Sequence, residues 1–137
     1  MFFSKKEKKN DKSNFVKVGA LLIHTAKIDE NYSLEEEEII KKSLLSLGAD
    51  KDDLENLIIE AKQSEEDANQ ILDFTREIKN LEEIDKIKII KSLWRIIYSN
   101  NDADIYETNL MRRLAGLLYI DSKIMGDIKE EIKKENL

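Results

Sequence analysis

Displaced by 71 residues, the chain falls on itself. Leu22, Ile23 and Ala26 meet Leu93, Trp94 and Ile97, and Asp29, Ser33 and Glu36 meet Asn100, Asp104 and Glu107. Ile39-Ile-Lys-Lys meets Leu110-Met-Arg-Arg, Leu47 and Asp50 meet Leu118 and Asp121, and Leu54, Leu57 and Glu60 meet Met125, Ile128 and Glu131. Apolar positions, helix caps and polar turns all agree at one offset over about 40 residues. Two copies of one helical unit produce such a match readily, whereas chance rarely aligns the turns as well. The repeat halves cover about 15–61 and 86–132, with a linking segment between them.

Within each half the apolar spacing is that of helices. Phe15, Val18, Leu22 and Ala26, with Val16, Ala20 and Ile23, trace a broad face that ends near Ile28. Ser33-x-x-Glu36 is a capping box, in which each side chain accepts from the other residue's backbone N–H. The helix it opens carries Ile39, Ile40, Leu44, Leu45 and Leu47, and Gly48 is suited to end it. Asp50 caps a third helix with Leu54, Leu57, Ile58 and Ala61, and Ser64-Glu-Glu-Asp67 reads as the start of a fourth running to Ile78. A fifth spans about 82–99 through Ile84, Ile87, Ile90, Leu93, Trp94 and Ile97. A sixth covers 105–118, and Asp121 caps a seventh with Ile124, Ile128 and Ile132. The chain contains no proline and only four glycines, too few for a turn-rich β fold. The expected fold class is therefore all-α: a compact bundle of about seven helices, made of two related three-helix units plus a linking helix. With 137 residues, the helical part forms one domain over 14–137, preceded by a flexible basic tail at 1–13.

Composition removes several function classes. With no cysteine, disulfides, thiol catalysis and Cys-ligated zinc are excluded. A single histidine, His24, leaves zinc catalysis and Ser-His chemistry without their parts, and it reads as a packed or half-exposed helix residue. No glycine-rich phosphate loop is present. The longest stretch without a formal charge, Val18 to Ala26, has nine residues, well short of a membrane span. The N-terminus lacks the apolar core of a signal peptide, so the expected location is cytoplasmic. Residues 1–17 carry a net +4 and the remainder a net −10, for −6 in all. An acidic body repels phosphate backbones, so no nucleic-acid partner is expected. The tail, with Phe2, Phe3 and five lysines up to Lys12, suits a solubilising role or peripheral association with anionic lipid. Phe2 stands where N-myristoylation requires glycine.

The turns hold the candidate chemistry. Asp29-x-Asn31-x-Ser33 and Asn100-x-Asp102-x-Asp104 place oxygen side chains at alternating positions, as the first half of an EF-hand loop does. The second half of that loop is missing: Leu34 and Ile105 stand where glycine is needed, and Ile40 and Met111 where a bidentate Glu is needed. What remains is an acid or amide before each turn and a Glu seven residues later. Asp29 with Glu36, and Asn100 with Glu107, are the candidate metal ligands, for calcium, magnesium or manganese. Both glutamates also have an adequate structural job as capping-box members at the positive end of a helix. The carboxylate run Glu35 to Glu38 reads as a solvated helix start, and Trp94 and Arg95 as core and surface of the fifth helix.

Across 15–135 the sequence resembles the TerB-like, tellurite-resistance protein B family. The resemblance rests on Leu-Leu-Ile-His-Thr-Ala-Lys-Ile-Asp29 through Glu36, and on Ser-Leu-Trp94-Arg-Ile-Ile-Tyr-Ser-Asn100 through Glu107-Thr-Asn-Leu-Met-Arg-Arg. It implies an all-helical fold, a link to tellurite or other chemical stress, and a metal-binding role for Asp29, Glu36, Asn100 and Glu107. It also implies kinship with the helical domain of a membrane-bound DnaJ-like co-chaperone. The chain departs from the family's Asp-Gly turns, with Glu30 and Asn101 in place of the glycines and Asn100 in place of the second Asp. A neutral amide removes one ligand charge, so the second turn should hold a cation more weakly than the first.

The functional expectation is a non-catalytic module that binds a protein partner, or a peripheral membrane assembly, in a stress response, with cation binding attached. A dedicated metal-ion sensor or buffer is the alternative. An enzyme ranks third, because no nucleophile–base constellation is visible.

Overall fold

The structure, a computed structural model, describes residues 8–28, 32–99 and 105–135, with side chains from residue 12 onward. Seven α-helices are present among the described residues: α1 (Lys8–Ala26), α2 (Leu34–Ser46), α3 (Leu54–Asp67), α4 (Leu72–Ile78), α5 (Glu83–Tyr98), α6 (Ile105–Leu117) and α7 (Ser122–Glu135). A 3-10 turn, Lys51–Asp53, leads into α3. No helix among the described residues is long and apolar enough to cross a membrane.

The repeat is visible in how the helices end. Gly48 takes a left-handed conformation, φ 110°, directly after α2. Its N–H donates to the Leu45 carbonyl and that of Ala49 to the Leu44 carbonyl, the paired bonds of a Schellman motif. Seventy-one residues on, Tyr119 repeats the motif at φ 58°, with Ile120 donating to the Ala115 carbonyl. A tyrosine here accepts a conformation that glycine adopts without steric cost. The starts match as well. Asp50 Oδ1 accepts from the Asp52 N–H at 3.1 Å, and Asp121 Oδ1 from the Lys123 N–H at 2.8 Å.

Packing follows the same pairing. α1 lies on α3 as α5 lies on α7, and the repeat mates α1 and α5 meet each other in the centre. Val18, Ala20, Leu21 and Leu22 of α1 and Ile89, Ile90, Leu93 and Ile97 of α5 are fully enclosed. Full burial of one such valine, leucine or isoleucine contributes roughly 1.5–3 kcal/mol, so these two helices supply a large part of the core. The two helix crossings are nonetheless built differently. At α1–α3, a Cβ added to Gly19 would stand 2.9 Å from the Ala61 Cβ, so only glycine permits this approach. At α5–α7 the corresponding residues are Ile90 and Ile132, both buried. The linking helix α4 packs on α1 and α6, while α2 packs directly on α5, so the halves are not symmetric about the centre.

Three local expectations are corrected. α1 begins at Lys8, so residues 8–13, read as part of a flexible tail, continue the first helix; residues 1–7 lie outside the described residues. Ser64 to Asp67 is the last turn of α3 and not the start of α4. No glycine or proline interrupts this stretch, Gln63 Nε2 donates to Asp67 at 3.1 Å, and Glu65 is held by α1. α4 starts five residues later, where the Asp73 carboxylate accepts from the Asn69 and Gln70 N–H groups. Ile84 and Leu45, assigned to apolar faces, are exposed: Ile84 lies in the first turn of α5 and retains 62% of its surface in contact with solvent.

Candidate functional site

The first acidic turn leads into α2 through Ser33, whose extended backbone (φ −93°, ψ 163°) sets the cap. The Glu36 N–H donates to Ser33 Oγ at 3.1 Å, and Glu36 Oε1 accepts from the Ser33 N–H at 2.8 Å. The expected capping box is therefore present in full. It does not by itself require Glu36 to be enclosed, yet only 1% of that residue's surface is exposed. Glu107, at the matching position in α6, is 5% exposed. An ionised carboxylate is costly to bury unless hydrogen bonds or cations compensate, and a helix N-terminus offers part of that compensation. Two buried glutamates at repeat-related positions are the main chemical feature of this region.

The structure places Glu36 and Glu107 in the first turns of two different helices. Asp29 and Asn100, their proposed co-ligands, lie outside the described residues, as do Asp102 and Asp104. Among the described residues no three histidine, cysteine or acidic side chains gather closely enough to hold a metal ion.

The run Glu35 to Glu38 is less uniform than a solvated helix start. Glu35 and Glu38 are exposed, but Glu37 joins a network that ties α2 to α3. Its Oε1 accepts from Tyr32 Oη at 3.2 Å and meets Lys62 Nζ at 2.9 Å, and Lys62 also sits over the Tyr32 ring. The Lys62 hydrogen bond holds the Glu37 carboxyl below the usual range, against the effect of partial burial. Burial, with Glu37 alongside, pushes the Tyr32 phenol well above its ordinary value. At the related positions the second half has Ala103, Thr108 and Lys133, so this support exists only beside the first turn.

His24 is a structural residue, as its position in the apolar helix suggested. Its Nδ1 lies 3.2 Å from Glu65 Oε2, and its ring tilts against Phe74. Lys27 Nζ donates to the other Glu65 oxygen at 2.6 Å. Burial would raise the Glu65 carboxyl, but the hydrogen bonds from Lys27 and His24 outweigh it and the net shift is downward. Trp94 is buried and stacked on Tyr98, and Arg95 lies on the surface in a two-bond pairing with Glu135.

One residue of consequence escaped the sequence reading. Lys86 is buried, and its Nζ donates to the carbonyls of Leu118 at 2.9 Å and Lys79 at 3.2 Å. These carbonyls end α6 and α4, so one ammonium caps two helices where cations are favoured. The available signal was its register, since it sits three and four residues before buried Ile89 and Ile90 on the same face of α5.

A family model described as tellurite resistance protein TerB matches residues 15–130. Comparisons with curated proteins and with solved structures gave no match. The matched span takes in both repeat halves, both acidic turns and the helix that links them; the chain belongs to the TerB family.

Proposed function

We propose that the chain is a non-catalytic interaction module of a chemical-stress response, whose acidic turns bind a divalent cation beside a partner-binding surface. One observation carries this reading: α2 and α6 begin alike. Each opens on an exposed apolar residue, Leu34 at 83% and Ile105 at 70%, and buries a glutamate two positions later. Tyr106, next to Ile105, is exposed as well. Large apolar side chains held in solvent beside a charged turn are features of interaction sites. A cation above each buried glutamate would lower the cost of enclosing its charge. Asp29 with Glu36 carries one more negative charge than Asn100 with Glu107, so the first turn is the stronger site.

Two measurements test the two parts separately. In a calcium, magnesium and manganese titration, amide resonances of residues 29–36 should shift saturably at sub-millimolar metal, and Glu36→Gln should weaken binding by about tenfold or more. Unchanged resonances would remove the cation from the proposal. Capture from the native cell should recover a partner with the unaltered chain and lose it with Leu34→Asp/Ile105→Asp. Equal capture by both would remove the surface. A dedicated cation sensor or buffer remains the second reading, favoured by the Tyr32–Glu37–Lys62 network, which ties the start of α2 to α3. It predicts that metal binding persists in the partner-deficient variant and alters the fold around α2.

A further inference from the structure

The surface between α2 and α5 reverses the charge of the molecule. A cleft of about 480 Å³ opens there, lined by four cationic side chains, Lys42, Lys88, Lys91 and Arg95, and by no acidic one. The rest of the chain beyond the basic N-terminal segment is strongly acidic. The cleft is built from one face of each helix. Residues 39, 42, 43 and 46 of α2 and 88, 91, 92 and 95 of α5 both follow the i, i+3, i+4, i+7 spacing of a single stripe.

Its floor is a pair of buried serines. Ser43 Oγ and Ser92 Oγ are hydrogen-bonded to each other across the interface, and they also contact the carbonyls of Ile39 and Lys88 at 2.8 and 3.0 Å. The repeat mates of Ser43 and Ser92 are Leu114 and Leu21, both fully enclosed. The positions that carry leucine in one half thus carry hydroxyls in the other, at an α2–α5 contact with no comparable α6–α1 contact among the described residues. A buried hydroxyl pair contributes less apolar burial to a core than leucines do. Two hydroxyl protons serve three oxygen contacts, so a hydroxyl that donates to a ligand in the cleft does so by exchanging one of these internal bonds.

The cations differ in availability. Lys91 and Arg95 are paired with Glu131 and Glu135 of α7. Among the described residues, Lys42 and Lys88 have no carboxylate within ion-pair distance, although Asp85 influences Lys88 through space. Two ammonium groups, with two more cations behind them and hydroxyl donors below, match the charge and acceptor count of a phosphate dianion. An extended polyanion would meet the acidic remainder of the surface, whereas a compact one would not. The cleft's size is that of small-molecule sites.

We propose that this cleft is a recognition site for a phosphomonoester group. Lys42 and Lys88 are its primary contacts, and Ser43 and Ser92 its hydroxyl donors. The site is independent of the acidic turns and of any cation there.

The test is an amide-resonance titration at fixed ionic strength with phenyl phosphate, alongside sedimentation with phosphatidylcholine vesicles containing phosphatidic acid. Saturable shifts confined to residues 39–46 and 88–95, with half-saturation near or below about 1 mM, support a soluble ligand. Pelleting with the acidic vesicles, without those shifts, supports the same group on a lipid. In either case Lys42→Ala/Lys88→Ala should weaken binding about tenfold or more. Both lysines are exposed, so the variant should keep its fold, and an unchanged pattern of amide shifts elsewhere would verify this. No saturable response to either probe up to about 10 mM phosphate overturns the proposal, and so does undiminished binding by the double variant.

Discussion

At the scale of single residues, the same substitution should act with opposite signs at two glycines. Gly126 lies inside α7 with nothing near the position of an added Cβ, so Gly126→Ala should stabilise by about 0.5–1 kcal/mol through helix propensity alone. Gly19→Ala gains the same propensity but drives a methyl into Ala61 Cβ, which is anchored to backbone and cannot swing away. Overpacking of this kind costs about 1–3 kcal/mol, so a net loss is expected. Urea unfolding of the two variants measures both signs. Ala61→Gly should recover part of the Gly19→Ala loss. If it recovers none, close approach of α1 and α3 is not the cause.

At the scale of elements, carboxylates stitch one helix to the next: Glu65 to α1, Glu37 to α3 and Glu135 to α5. All three hold their folded-state proton affinity below the ordinary value of 4.5. The unfolded chain therefore binds these protons more readily than the folded one. Their contribution is complete above the ordinary carboxylate range and is lost as pH falls through the lowered folded values. Glu65 is the most enclosed of the three, so Glu65→Gln should flatten the acid limb of a stability-versus-pH curve most, while Glu135→Gln, at an exposed pair, should change it least. An acid limb identical to that of the unaltered protein would refute the role of Glu65. These links also explain what could and could not be read from sequence. Helix starts at Ser33, Asp50 and Asp121 were legible because their partners are two or three residues away. The α3–α4 boundary was not, because Ser64-x-x-Asp67 imitates a cap and Glu65 is held by residues 38 and 41 positions away. Of the candidate metal ligands, the sequence reading identified Glu36 and Glu107 without indicating their burial, which depends on packing from distant helices. Lys86 showed its register but not its partners.

At the scale of the whole molecule, Lys86 joins three helices. It projects from α5 and holds the last carbonyls around α4 and α6. Lys86→Met fills similar volume but leaves one buried and one half-buried carbonyl without their donor, and should cost about 2–4 kcal/mol in a cooperative unfolding experiment. Hydrogen exchange would locate the loss at the ends of α4 and α6. A uniform loss over the chain would argue against capping and for a general defect in the core. The repeat explains the frame of the molecule, with equivalent caps, paired interfaces and a shared central seam. Its exceptions distinguish the halves: among the described residues, the Tyr32–Glu37–Lys62 network and the Ser43–Ser92 pair beside the basic cleft are built from side chains that the second half replaces.

The position of α1 bears on how the chain is made. α1 leaves the ribosome before the helices that enclose it, and its central partner α5 is complete only at Tyr98. At roughly 5–20 residues per second, the apolar ridge from Val18 to Ala26 waits for several seconds after it emerges. During that interval α2, α3 and α4 can cover their own sides of it, while the side that meets α5 stays open. The nascent chain thus keeps the α5-facing side of a hydrophobic helix uncovered until more than two-thirds of it has been made.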